Sequence, residues 1–278
     1  MTIKNQIKTF LLLVILSAIV LAIGSLFGRS GLVVAFIFVL AMNGFSYYFS
    51  DKIVLALYKA KPLPKQHWLY KETEKLARKA KLPMPKLYVS NFPVANAFAT
   101  GRNPKHAAVV VTNKLLHMLS KDEILGVISH ELSHVKNRDI LISTIASVLA
   151  GVVMYIAAMV RWGLIFGYDD RDNWFSLIAL LIIAIIAPIA ALLIQLAISR
   201  NREFLADETG AKILGNGKPL ANALLKLEKQ AKLPSSKALG LEATENLFIV
   251  SPFSKSGLVA LFSTHPPVEE RVKRLLKI

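Results

Sequence analysis

Four long runs without Asp, Glu, Lys or Arg dominate the hydropathy pattern: Phe10–Phe27, Leu32–Phe49, Ile140–Val160 and Phe175–Ile198, of 18, 18, 21 and 24 residues. A helix needs about 20 apolar residues to cross a hydrocarbon layer of about 30 Å. The last two runs reach that length outright. The first two are shorter and end in the interfacial zone, with Lys8, Tyr47 and Tyr48 as flanking anchors. Only Gly28-Arg29-Ser30-Gly31 separates them, so the pair reads as a tight helical hairpin. A cleavable secretory signal competes for the first run, since Lys4 and Lys8 precede it and Ala22-Ile23-Gly24 resembles a cleavage site. The run exceeds the usual ~7–15 apolar residues of such signals, and a second run follows at once. The pattern therefore predicts two membrane hairpins, 1–49 and 140–198, around two polar parts, 50–139 and 199–278.

Within the polar parts the pattern changes character. A helix is predicted over Lys65–Lys81, then a short strand at Lys86–Ser90. Asn96–Gly101 and Ala107–Thr112 flank the turn-rich Arg102-Asn103-Pro104-Lys105 and read as a β-hairpin. Ser120-Lys121-Asp122-Glu123 is a capping box, which places a helix start near residue 121. A helix follows Pro219, the stretch 232–260 is poorly patterned, and Val268–Leu276 forms a last helix. No internal repeat is present. The two parts together have the size of one globular domain, mostly α with a small sheet.

Charge changes the picture next. The 278 residues carry 34 Lys+Arg against 18 Asp+Glu, a formal +16, with 54% apolar residues and a mean hydropathy of +0.49. Such a basic excess ordinarily suggests a polyanion partner. Sorted by segment it means something else. The loops 28–31 and 161–174 hold only Arg29, Arg161 and Arg171, balanced by Asp169, Asp170 and Asp172. All of the net charge therefore lies on the other side, and basic loops stay cytoplasmic. Both termini and both polar parts are expected there. No interleaving of basic and aromatic residues typical of single-strand grooves stands out, so no nucleic-acid partner is expected. The absence of Cys excludes disulfides and thiolate-held metals, leaving His, Asp and Glu as ligands.

His130-Glu131-Leu132-Ser133-His134 lies inside the capped helix. Four-residue spacing puts both imidazoles on one helical face, where they can converge on one zinc ion. Glu131 is then placed to deprotonate a water at that metal. A catalytic zinc usually takes a third protein ligand, and Val135–Ile140 offers no further His. After the fourth apolar run come Glu203 and Asp207, one helical turn apart, suited to a ligand and a carboxylate that orients a ligand imidazole. Taken alone, Glu203 reads as a solvated acid on a helix face. The spans supply the link: His134 precedes Ile140 by about 9 Å of helix and Glu203 follows Ile198 by about 7.5 Å. Two antiparallel spans thus bring both sets to one height above the membrane.

With these residues in view, the chain resembles the M48 family of membrane zinc metallopeptidases over nearly its whole length. The resemblance rests on Asn96-Ala-Phe-Ala-Thr-Gly101, on His130-Glu-Leu-Ser-His134 continuing to Asp139, on Arg202-Glu-Phe-Leu-Ala-Asp207, and on Ser263-Thr-His-Pro-Pro267 with Arg271. It implies an α-helical membrane protein with four transmembrane helices and a cytoplasmic, gluzincin-like α+β metalloprotease domain. It implies one Zn2+ per chain on His130, His134 and Glu203, with Glu131 as general base and Asp207 and Asp139 supporting the ligands. It further implies endoproteolysis of membrane or unfolded polypeptides at the cytoplasmic face of a bacterial inner membrane, as quality control under heat stress.

Other residues carry weaker expectations. Asn96, Ala97 and Phe98 can offer a strand edge on which an extended substrate adds itself. His265 or Arg271 can stabilise the oxyanion, although Arg271 can equally pair with an acid and His265 be a turn residue. His67, His106 and His117 lack a partner at ligand spacing and read as surface or interface residues. Asn43 and Gln195 are expected to hydrogen-bond neighbouring helices. Two rival functions are a prenyl-protein endopeptidase of the same family, for which four spans are too few, and a non-enzymatic membrane-anchored binder of anionic lipid or nucleic acid.

Overall fold

The computed structural model describes residues 28–145, 200–231, 247–250 and 265–278, with isolated positions between 7 and 25. Helix α1 runs from Gly28 to Leu57. The tetrapeptide 28–31, expected as a turn, belongs to this helix instead. Gly28, its first residue, stands at φ +76°, a conformation glycine adopts without a Cβ clash. Asn43 Nδ2 donates to Ser17 Oγ at 3.0 Å, so the first apolar run lies beside the second and Asn43 serves a helix neighbour as expected. Gly28–Phe45 is the one segment among the described residues long and apolar enough to cross a membrane. Val33, Val34, Phe36, Ile37, Phe38 and Leu40 are all more than half exposed. A helix this apolar, with Ala35 and Val39 buried but most of its large side chains uncovered, has the character of a lipid-facing span. Of the third and fourth runs only 140–145 is described, and it is helical; Gln195 lies outside the described residues.

Beyond residue 50 the sequence folds into helices on a four-stranded sheet. The strands are β1 (Lys61–Pro62), β2 (Lys86–Ser90), β3 (Ala97–Thr100) and β4 (Ala108–Thr112), in the order β1-β2-β4-β3. β2 and β4 are parallel, while β3 and β4 form the predicted antiparallel hairpin with Phe98 opposite Val110. A Cβ on Gly101, at φ +130°, would meet His106 O at 2.2 Å, so the turn requires glycine. β4 is buried throughout, which its Ala-Val-Val-Val-Thr run suits. β3 is an edge strand, and that edge faces the site.

Helices α2 (Trp68–Ala80) and α4 (Lys121–Asn137) follow the sequence pattern closely, while α3 (Asn113–Met118) is a short helix that the pattern did not give. The capping box at α4 is complete: Glu123 N donates to Ser120 Oγ and Ser120 N to Glu123 Oε2. α4 is the central element, with Val127, Ile128 and Leu132 fully buried, each contributing about 1.5–3 kcal/mol of burial. Its end corrects an expectation. The helix does not run straight on to Ile140, because Arg138 takes a left-handed conformation at φ 57° and caps it. Asp139 N then bonds to His134 O, and a new helical turn begins. α5 (Arg200–Leu214) and α6 (Lys218–Ala231) pack on α4, and α7 (Val268–Leu275) packs on α5 and α6. Two glycines set the crossings: a Cβ on Gly210 would stand 2.9 Å from His130 N, and one on Gly126 2.7 Å from Leu220 N.

Candidate active site

Three side chains converge on one point. His130 and His134 share a face of α4, and their Nε2 atoms are 3.2 Å apart. Glu203, from the first turn of α5, places Oε2 3.7 Å from His130 Nε2 and Oε1 3.5 Å from His134 Nε2. Tetrahedral neighbours on zinc, with bonds of about 2.0–2.1 Å, stand about 3.3–3.4 Å apart, so the donor set fits such an ion. Two ring nitrogens facing each other beside a buried carboxylate call for a cation between them. α5 comes this close because Gly210 has no side chain. A glycine inside a helix costs about 1 kcal/mol, so Gly210, three residues after Asp207, was a readable signal of close packing.

Each imidazole is held from behind by a carboxylate. His130 Nδ1 lies 3.0 Å from Asp207 Oδ1, and His134 Nδ1 lies 3.3 Å from Asp139 Oδ2. Such partners orient the ring so that Nε2 faces the ion. Asp139 also lies 3.8 Å from Arg202 Nε, a partner that spacing alone did not indicate. Burial opposes charge on His134, but Asp139, Glu203 and Glu131 outweigh it and push the imidazole up to about 9 without a metal. Burial would raise Glu203, yet His265, His134 and Arg271 hold it well below the usual carboxylate range. It stays ionised, as a ligand must.

Glu131 is buried beside the two histidines and accepts a hydrogen bond from Ala99 N at 2.8 Å. Burial pushes its carboxyl above the ordinary value, with Glu203 adding to the rise while His130 and His134 oppose it. A raised pKa suits a group that takes up and returns a proton. Ala99 belongs to β3, so strand edge and acid face the same cleft. That cleft is lined by Phe98, Ala99, Ile140, Ser143, Phe248 and His265 around the ligands.

The remaining expectations divide. His265 stands in the cleft, Nδ1 3.2 Å from Glu203 Oε2. Arg271 does not line it. Its guanidinium, wholly buried, grips Asp207 with Nε and Nη2 at 2.8 and 2.7 Å and gives Nη1 to Ile249 O. Pairing with an acid, the second of its two expected roles, is what the geometry provides, and an oxyanion has no remaining access to it. Asn96 is likewise removed from direct substrate contact. Buried on one side of β3, it donates from Nδ2 to Leu247 O and accepts from Ile249 N, clamping a wall of the cleft that the sequence pattern did not reveal. Ala97 and Phe98 remain on the edge strand. Among the described residues His67, His106 and His117 make local hydrogen bonds, in keeping with surface or interface positions.

The helix-borne His-Glu-x-x-His motif with a distant Glu defines a metallopeptidase, and the comparisons agree. The sequence model of peptidase family M48 matches residues 64–278, and the chain belongs to that family. It is 49% identical over 277 residues to a protein of Pelotomaculum thermopropionicum named Protease HtpX homolog, covering 98% of each chain. A Desulfatibacillum aliphaticivorans protein of the same name is 51% identical, covering 98% of this chain and 89% of that one. One from Pyrococcus furiosus is 50% identical over 98% and 95%. The crystal structure of S. mikatae Ste24p shares the fold at a TM-score of 0.55 and 20% identity, covering 98% of this chain and 66% of that one.

Proposed function

We propose that the chain is a zinc-dependent endopeptidase, held in a bacterial inner membrane by four helices, that cuts membrane or unfolded polypeptides at the cytoplasmic face in protein quality control. The observation that carries the activity is the single bond from Ala99 N to Glu131 Oε2, which joins a strand edge to the acid next to the three metal donors. His130, His134 and Glu203 hold the ion. When bound, zinc supplies Lewis acidity that polarises the scissile carbonyl and acidifies the attacking water. Glu131 takes the proton from that water and returns it to the leaving amine. β3 binds the substrate backbone along Ala97 and Ala99, and His265 offers a donor to the oxyanion. The membrane reading rests on the exposed apolar face of α1 and on the charge asymmetry of the loops.

The test is Glu131→Gln. The amide oxygen can still accept from Ala99 N, so the fold and the metal content are expected to persist while chelator-reversible cleavage is lost. Metal analysis and a cleavage assay on both proteins check this, and undiminished cleavage by the variant sinks the assignment.

A further inference from the structure

The catalytic strand and the apolar helix are tied together at two points. Near the end of α1, Tyr58 packs on Phe98 of β3, with ring centroids 4.6 Å apart. Ten residues earlier, Tyr48 lies under the guanidinium of Arg102, 5.2 Å from the ring centroid, just past the end of β3. Measured along α1, these contacts are about 15 Å apart at 1.5 Å per residue. Arg102 follows Phe98 by four residues, in the turn just past the end of β3. Phe98 therefore meets the far end of α1 while the turn after β3 points back toward the apolar segment. Tyr47 and Tyr48 lie at the edge of that segment, where aromatic anchors sit, and Asp51 and Lys52 are the first charges beyond it. The turn that reaches this level carries Arg102 and the exposed Lys105, which suit a phosphate-rich surface.

The other wall of the cleft tells the same story. Thr100 and Thr144 share a hydrogen bond at 3.1 Å, and Ile140 and Ser143 line the site. Those residues begin the third apolar run. The end of β3 is thus bracketed by the apolar helix α1 and by the first residues of the third apolar run.

The edge of β3 away from β4 faces the cleft, where Ala99 N donates to Glu131 Oε2. Asn96 O accepts from Thr112 N, which assigns the hydrogen bonds of Phe98 and Thr100 to β4 and turns those of Ala97 and Ala99 outward. From Ala99, where Glu131 waits, to Arg102 is three residues, about 10 Å of extended chain.

We infer that the enzyme's preferred substrate is the extended segment immediately flanking a transmembrane helix, cut about three to six residues from the membrane boundary. Such a segment leaves the bilayer at the level of Tyr48 and Arg102, pairs along the cleft edge of β3 by taking Ala99 N from Glu131, and so meets that acid before it can move away. The inference rests on the endopeptidase reading and names the substrate class for that site.

The test uses the full chain, loaded with zinc, in liposomes. The substrate is a single-span protein whose exposed tail repeats one short sequence for about 30 residues, roughly 100 Å extended, so that only distance varies. A soluble peptide of the same repeat is run beside it, and cut positions are mapped by mass spectrometry. Cleavage within about six residues of the span is expected to exceed cleavage beyond ten by about tenfold or more, because tethering raises local concentration at that distance. An even spread, or a peak farther out, alongside metal-dependent cleavage of the soluble peptide overturns this inference and leaves the endopeptidase reading standing. No chelator-sensitive cleavage of either substrate overturns both.

Discussion

Gly210→Ala tests how closely the metal site depends on one helix crossing. The added Cβ would stand 2.9 Å from His130 N, 3.0 Å from His130 Cα and 3.0 Å from Ser129 C. All three are backbone atoms of α4, so no side chain can rotate away. Ordinary carbon contacts lie at about 3.5–4.0 Å, so α5 must retreat by about 0.5–1 Å. Overpacking of this kind costs about 1–3 kcal/mol, and the gain in helix propensity from Gly to Ala returns about 1 kcal/mol. The net loss of stability is therefore small, about 1 kcal/mol. The effect on the metal is larger in proportion. α5 carries Glu203 and Asp207, and metal ligands tolerate displacements of only about 0.2 Å. A loss of about 10–100-fold in metal affinity is expected, comparable to losing a supporting carboxylate. Chelator competition measures the affinity, and thermal unfolding of the metal-free protein in detergent measures the stability. Gly126→Ala is the comparison: its Cβ would meet Leu220 N at 2.7 Å, where α6 supplies no ligand. It should cost at least as much stability with near-normal metal affinity. Equal metal affinity in the two variants would refute the reasoning.

Removing the buried cation with Arg271→Met leaves Asp207 without its guanidinium partner and should cost about 3–5 kcal/mol in unfolding experiments, with Arg271→Lys recovering part of the loss. Metal uptake should depend on pH through His134. Its imidazole is protonated below about 9 in the metal-free protein, so affinity should rise with pH up to that point, and Asp139→Asn should flatten the rise; chelator competition across pH reads it. The same raised pKa stabilises the metal-free protein fully below the unfolded value near 6.5, and that contribution fades as pH climbs toward about 9. Asn96→Ala leaves Leu247 O and Ile249 N without their partner, at about 1–3 kcal/mol each, and should loosen the cleft wall. It is expected to raise KM more than it lowers kcat, while metal content stays normal.

The sequence by itself determined what depends on neighbours a few residues apart. His130 and His134 share a face because a helix repeats every 3.6 residues, and Ser120 and Glu123 cap that helix through bonds to each other. The hairpin of β3 and β4 was legible because turn-forming residues sit between two short apolar stretches. The two-residue strand β1 was too short to leave a pattern, and the left-handed Arg138 was invisible because nothing in its side chain requires that conformation. Tertiary structure alone decided the choices between distant groups. It gave Arg271 to Asp207, turned Asn96 toward Leu247 and Ile249, and let Gly210 bring Glu203 to the histidines. A buried arginine can satisfy its charge on any acid within reach, and reach is set by how helices pack, which short-range periodicity does not encode. The ligands were written in the local pattern; the distances that make them one site, and the strand that runs down beside the apolar helix, came from the packing.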